Sequence, residues 1–174
     1  MDNLRYPVGK CPQPKHIDSN TLAGWIKTIE TFPEKLKKEV DGLTDEQLDI
    51  PYKEDGWTVR QLVHHLADSH MNAYIRFKLA LTEKKPTIKP YEQAEWAKQT
   101  DYEGPVEPSL DILDGVHNRW TKLLHSMKPE DFDQTYIHPE YNDEYNLKQS
   151  LCQYDWHCRH HLAHILLAKK TSVS

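Results

Sequence analysis

Apolar residues recur along this chain at steps of three and four in four separate stretches, the period of amphipathic helices. Between Ser19 and Val40 they fall at Leu22, Trp25, Ile26, Ile29, Phe32, Leu36 and Val40, with Pro33 inside the run predicting a kink. Thr58, with Gln61 three residues on, has the form of a helix N-cap. Leu62, Leu66, Ser69, Ala73, Phe77 and Ala80 then make one stripe down to about Thr82. Ser109 is the candidate cap of a third helix striped by Leu110, Leu113, Val116, Trp120, Leu123, Leu124 and Met127 and closed by Lys128-Pro129. Asn146, with Gln149 three residues later, opens a fourth that runs to about Lys169. Residues 1–17 carry Pro7, Pro12 and Pro14 and read as an extended arm. Thr44-Asp45-Glu46-Gln47 has the form of a capping box and predicts a short helical turn. Residues 83–108 hold four prolines and form a long connection with a short helix around Glu92–Lys98, while residues 130–145 read as irregular. No strand-like alternation exceeds a few residues and nothing repeats. The pattern predicts an all-α four-helix bundle, one domain over residues 1–174, with a long connection between its second and third helices.

Composition narrows the function classes. A formal net charge of -5 argues against nucleic-acid binding, which needs a basic face. No apolar run approaches the roughly 20 residues that cross a bilayer. The opening Met1-Asp2-Asn3-Leu4-Arg5-Tyr6-Pro7 lacks the apolar stretch of a secretory signal. Cys11, Cys152 and Cys158 are odd in number and show no CxxC spacing, so they read as reduced thiols of a cytoplasmic protein. Histidine is less ordinary. Of 11, four lie in residues 157–164 and three in residues 64–70.

A helical wheel sorts these imidazoles. With His161 at zero, Tyr154, Ile165 and Leu147 lie about 20–40° to one side and His157 about 40° to the other. His164 and His160 fall further round, near 60° and 100°, toward solvent. His157 and His161 are therefore an i,i+4 pair on the inward edge. In the second helix His65 sits on the shoulder of the apolar face, His64 points away from its centre, and His70 lies on the other shoulder. The wheel selects His65, His157 and His161 as ligands of one metal ion, with the equally spaced His160 and His164 as an alternative pair. By the bland reading an HxxxH pair is a polar shoulder; His64, His70, His160 and His164 are surface or supporting residues, and His16, His117, His125 and His138 are solvent-facing or capping. Trp57 and Trp156 then pack, Cys158 is a small buried residue, and the acidic runs Asp41–Asp49 and Asp131–Asp133 are solvated surface.

Imidazole suits zinc, nickel, copper and iron. Three protein ligands leave a tetrahedral ion one open position, the pattern of catalytic zinc, and its water drops from a pKa of 15.7 to about 7. The pattern is not HExxH, so no helical glutamate serves as base. Asp68, Asp155 and Tyr154 are merely near in sequence, and the catalytic residues stay unassigned.

The block Gly56-Trp57-Thr58-Val59-Arg60-Gln61-Leu62-Val63-His64-His65-Leu66-Ala67-Asp68-Ser69-His70, the following Tyr74-Ile75-Arg76-Phe77-Lys78, Lys89-Pro90-Tyr91 with Trp96-Ala97, and the terminal Tyr154-Asp155-Trp156-His157-Cys158-Arg159-His160-His161-Leu162-Ala163-His164-Ile165 resemble the YfiT-like branch of the DinB superfamily over essentially the whole chain. The resemblance implies a four-helix bundle, a three-histidine divalent metal site that maps onto His65, His157 and His161, zinc as the ion with nickel second, one per subunit, and a cytoplasmic homodimer. It implies a metal-dependent hydrolase acting on a small molecule. Relatives in the superfamily suggest instead a thiol S-transferase that joins a low-molecular-weight thiol of the bacillithiol type to an electrophile. A non-enzymatic metal-binding helical module is the third reading.

Overall fold

The computed structural model describes residues 2–140 and 143–171. Four long helices dominate it: α2 (Ser19–Val40), α4 (Val59–Thr82), α6 (Glu107–Ser126) and α7 (Leu147–Thr171). Shorter pieces are α1 (Asp2–Arg5), α3 (Asp45–Leu48), α5 (Gln93–Trp96) and the 3-10 turns Thr100–Glu103 and Pro129–Asp133. α2 and α4 each lie against α6 and α7. The helices consecutive in sequence, α2 with α4 and α6 with α7, therefore occupy opposite corners of the bundle, joined by the crossing segments 41–58 and 127–146. Ile29, Phe32, Leu36, Leu62, Leu66, Phe77, Leu113, Trp120, Leu124, Leu151 and Ile165 fill the centre, as the stripes predict.

Helix starts are set by side chains that take the first free N–H groups. Thr58 and Gln61 cap each other reciprocally, with Gln61 N–H donating to Thr58 Oγ1 (3.2 Å) and Thr58 N–H to Gln61 Oε1 (3.0 Å). Asn146 and Gln149 do the same for α7, and Thr44 with Gln47 for α3. Three expectations differ. Residues 2–5, within the arm read as extended, form the short helix α1. Ser109 is not a cap, because α6 begins two residues earlier at Glu107, with Pro108 in its first turn where the missing N–H is harmless; Ser109 instead turns its hydroxyl to His64. Residues 130–145 are not wholly irregular: β1 (Thr135–His138) and β2 (Asp143–Asn146) pair antiparallel, with Tyr136 opposite Tyr145. Four-residue strands are too short to display a period of two.

The long connection after α4 docks on that hairpin, Ile88 N–H donating to the Ile137 carbonyl (3.0 Å) and Ile137 N–H to that of Pro86 (2.9 Å). The acidic run 41–49 does more than face solvent. Asp49 and Asp45 receive the Nε and Nη2 of buried Arg60 at 2.7 and 2.8 Å, and Arg60 Nη1 also donates to the Gly104 carbonyl, tying α3, α4 and the loop before α6 together. Among the described residues no helix is long and apolar enough to cross a membrane.

Candidate metal centre

α4 and α7 lie side by side, and where they meet one imidazole from the first turns of α4 faces two from the middle of α7. His65, His157 and His161 bring one ring nitrogen each to within 4.8 Å of one another. His65 Nε2 and His157 Nε2 are 3.2 Å apart. Two nitrogens held about 2.0–2.1 Å from one tetrahedral ion are about 3.3 Å apart, so the spacing fits a shared zinc-like cation. Burial holds His65 down to about 4, with His160 pushing the same way. Burial, then the neighbouring imidazoles, holds His157 and His161 well below the ordinary histidine range. All three therefore offer neutral lone pairs at neutral pH, the form a metal requires.

His160, His161 and His164 also converge within 4.8 Å. Here the wheel misleads. His160 and His164 do not turn to solvent; they are 7% and 2% exposed. The N-terminal segment covers them. His164 Nε2 meets the Leu4 carbonyl at 3.2 Å, Tyr52 stacks on its ring at a centroid distance of 3.9 Å, and Trp156 lies flat on His160 at 4.2 Å. Trp156 is itself held by donating its Nε1–H to the Gly9 carbonyl (2.8 Å). A wheel records only which side faces the helix's own bundle, and a covering arm is invisible to it.

Three more histidines are buried in hydrogen-bonded positions. His64 is buried, hydrogen-bonded through Nδ1 to Ser109 Oγ (2.7 Å) and through Nε2 to the Gly104 carbonyl (3.3 Å). His70 and His117 are buried together at the bundle centre, His70 Nδ1 lying 2.7 Å from His117 Nε2. His70 Nε2 reaches His157 Nδ1 at 3.0 Å, and His117 Nδ1 reaches the Ile29 carbonyl at 2.6 Å. His117 is thus neither capping nor solvent-facing. A signal for it was present, since Leu113, His117, Trp120 and Leu124 continue one helical stripe. His16 and His125 are exposed and His138 is half-buried.

A cavity of about 400 Å³ opens onto the imidazoles, walled by Tyr6, Tyr52, Trp57 and Trp156, with Asp55 and Arg5 at its edge. Trp57 sets its ring edge-to-face with His65 at 4.7 Å, so it packs as expected and also shapes the cavity. A second, polar cavity of about 340 Å³ shares His157 and Gln93 with the first and is lined by Arg76, Tyr91, Gln153 and Tyr154. The three base candidates near in sequence are each engaged in a hydrogen bond. Asp68 accepts from Tyr102 OH (2.6 Å), Asp155 from Arg159 Nη2 (2.6 Å), and Tyr154 OH donates to the Ser69 carbonyl (3.4 Å). Cys158 is fully buried and burial pushes its thiol up, so it is the small core residue its position suggested.

Comparison with known proteins bears on what such a centre is used for. A family model described as the DinB superfamily matches residues 28–165. A Bacillus cereus (strain B4264) protein named "putative metal-dependent hydrolase" is 49% identical over 170 residues, covering 98% of each chain. A Bacillus thuringiensis subsp. konkukian (strain 97-27) protein with the same description is 49% identical over the same share. The solved structure of YfiT from Bacillus subtilis, described as a probable metal-dependent hydrolase with an unusual four-helix bundle topology, superimposes with a TM-score of 0.93 at 44% identity and 98% coverage of both chains.

Proposed function

The chain belongs to the DinB superfamily, and we propose that it is a metal-dependent hydrolase holding one divalent ion, zinc or alternatively nickel, through His65, His157 and His161. The observation that carries this reading is the 3.2 Å approach of His65 Nε2 to His157 Nε2. Two imidazole lone pairs that close repel each other unless a proton or a cation lies between them, and His161 completes a trio of the right size. The relatives' descriptions point the same way. The alternative trio, His160, His161 and His164, is the second choice because it draws all three rings from α7 and leaves out His65.

When bound, such an ion supplies Lewis acidity, polarising a carbonyl and acidifying water toward neutral pH. The chain's own residues do the rest. Three uncharged ligands leave the ion its full charge. Trp57, Tyr52 and Trp156 wall the cavity and limit water around a small-molecule substrate. Leu62, beneath the same cavity, is buried and supplies an apolar floor.

Elemental analysis of protein purified without chelator tests the proposal, alongside a panel of esters and amides assayed before and after chelation. One zinc or nickel per chain is expected, with His161→Ala and His65→Ala each losing it and cleavage returning when metal is added back to the wild type. Unchanged metal content in both variants, or cleavage indifferent to chelation, overturns the proposal.

A further inference from the structure

We propose that His70 and His117 are positioning residues that, with a helix carbonyl laid bare by Pro33, fix the tautomer of His157 so that its Nε2 lone pair faces the metal site. The inference rests on the reading of His157 as a ligand and adds residues that the reading does not require.

The chain of contacts runs through all four long helices. It starts at the Ile29 carbonyl in α2, passes through His117 of α6 and His70 of α4, and ends on His157 of α7, at 2.6, 2.7 and 3.0 Å. A carbonyl in mid-helix ordinarily accepts from the N–H four residues on. For Ile29 that residue is Pro33, which has no N–H. The helix continues unbroken past it, and the Ile29 carbonyl is left needing a donor that the bundle interior must supply. Pro33, which the sequence marks as a kink, also creates an acceptor at the core.

From that acceptor the proton positions follow in one direction. A carbonyl only accepts, so His117 Nδ1 carries the hydrogen. A neutral imidazole has one N–H, so His117 Nε2 is bare and must accept from His70 Nδ1–H. His70 Nε2 is then bare in turn and accepts from His157 Nδ1–H. The proton count leaves His157 with its lone pair on Nε2, the atom 3.2 Å from His65 Nε2. Metal-binding histidines commonly anchor their second nitrogen on a carboxylate or carbonyl; here two neutral rings extend that anchor across the bundle without adding negative charge to the site. A shorter copy serves His161. The Leu4 carbonyl accepts from His164 Nε2–H, so His164 Nδ1 accepts from His161 Nδ1–H at 3.4 Å and leaves His161 Nε2 bare.

Long-range proton–nitrogen NMR of the histidine rings reads tautomers directly, and chelator competition reads zinc affinity. In metal-free wild type His157 is expected as the Nδ1–H tautomer, and in the cadmium-113 form the cadmium couples to Nε2. His117→Phe keeps a ring of similar size but removes both ends of the relay; His157 is expected to lose its fixed tautomer and zinc affinity to fall about 10–100-fold. His117→Gln can donate its amide to Ile29 and accept from His70, so it is expected to restore the Nδ1–H signal and most of the affinity. Fold is checked by circular dichroism in both. The proposal is overturned if wild-type His157 carries its proton on Nε2, if His117→Phe leaves tautomer and affinity unchanged, or if folded His117→Gln loses as much as His117→Phe. Because the metal-free spectra need no ion, a protein that fails to bind zinc refutes the proposed function separately from the relay.

Discussion

Single side chains at this site are judged by what each ring nitrogen meets. His64 is instructive because it neighbours a ligand in sequence yet points elsewhere, to Ser109 Oγ and the Gly104 carbonyl. Its task is to fasten the start of α4 to the start of α6. Ser109→Ala would leave a buried imidazole nitrogen without its partner, at a cost of about 1–3 kcal/mol in urea unfolding. Metal content should not change, since His64 is not part of the trio. The same residue scale shows why sequence reasoning sorted the histidines unevenly. The wheel placed His157 and His161 on the inward edge of α7 and His65 on a shoulder of α4, but whether His70 and His117 touch depends on which helices are neighbours.

Among the elements, α7 carries two of the three proposed ligands, His157 and His161, and α4 carries His65 together with His64 and His70 within its first half. The start of α4 is fixed by the reciprocal Thr58–Gln61 cap, which sits one turn from His65. Thr58→Ala is expected to destabilise the fold by about 1 kcal/mol, read as a lowered urea midpoint, with the loss concentrated in faster amide exchange over the first turn of α4. The caps of α3, α4 and α7 were legible because capping is local chemistry written in three or four consecutive residues. The start of α6 was misplaced because Ser109 looks like a cap and Pro108 like a break, whereas proline belongs in a first turn. The β1–β2 hairpin was missed for the opposite reason: its strands exist by pairing with each other and with the 86–88 segment, not by any pattern of their own.

The molecule as a whole buries an unusual number of imidazoles, and its stability should depend on pH accordingly. His117 is pressed by burial from an ordinary value of 6.5 to about 4, against a weaker opposing pull from its bond to Ile29 and from Asp114. Around it stand His70 from α4 and the Phe32 ring from α2, with no carboxylate from those elements to stabilise a charge. Above pH 6.5 folded and unfolded chains are both neutral at this position and the full stability is present. As pH falls below 6.5 the unfolded chain takes a proton that the folded one refuses, so stability declines until about pH 4, by about 3 kcal/mol for this group. His70, shifted in the same direction chiefly by burial, adds to the decline. Urea midpoints between pH 7.5 and 4.5 measure it, and His117→Gln should make the decline shallower by that group's share; a profile that stays level through this window would contradict the assignment.

The sequence by itself determined the four long helices and most of their ends, and it set His157 and His161 on one face of α7. Those follow from hydrophobic period and local capping, interactions between residues a few positions apart. It did not determine the neighbour relations of the helices, the cover laid over His160 and His164 by the N-terminal segment, or the line of imidazoles from Ile29 to His157. These depend on contacts between residues 47 to 160 positions apart, and no short-range pattern encodes a distant partner. Pro33 joins the two cases. Its missing N–H is a local fact of the sequence, but only the packing of α6 against α2 decides that a histidine answers it.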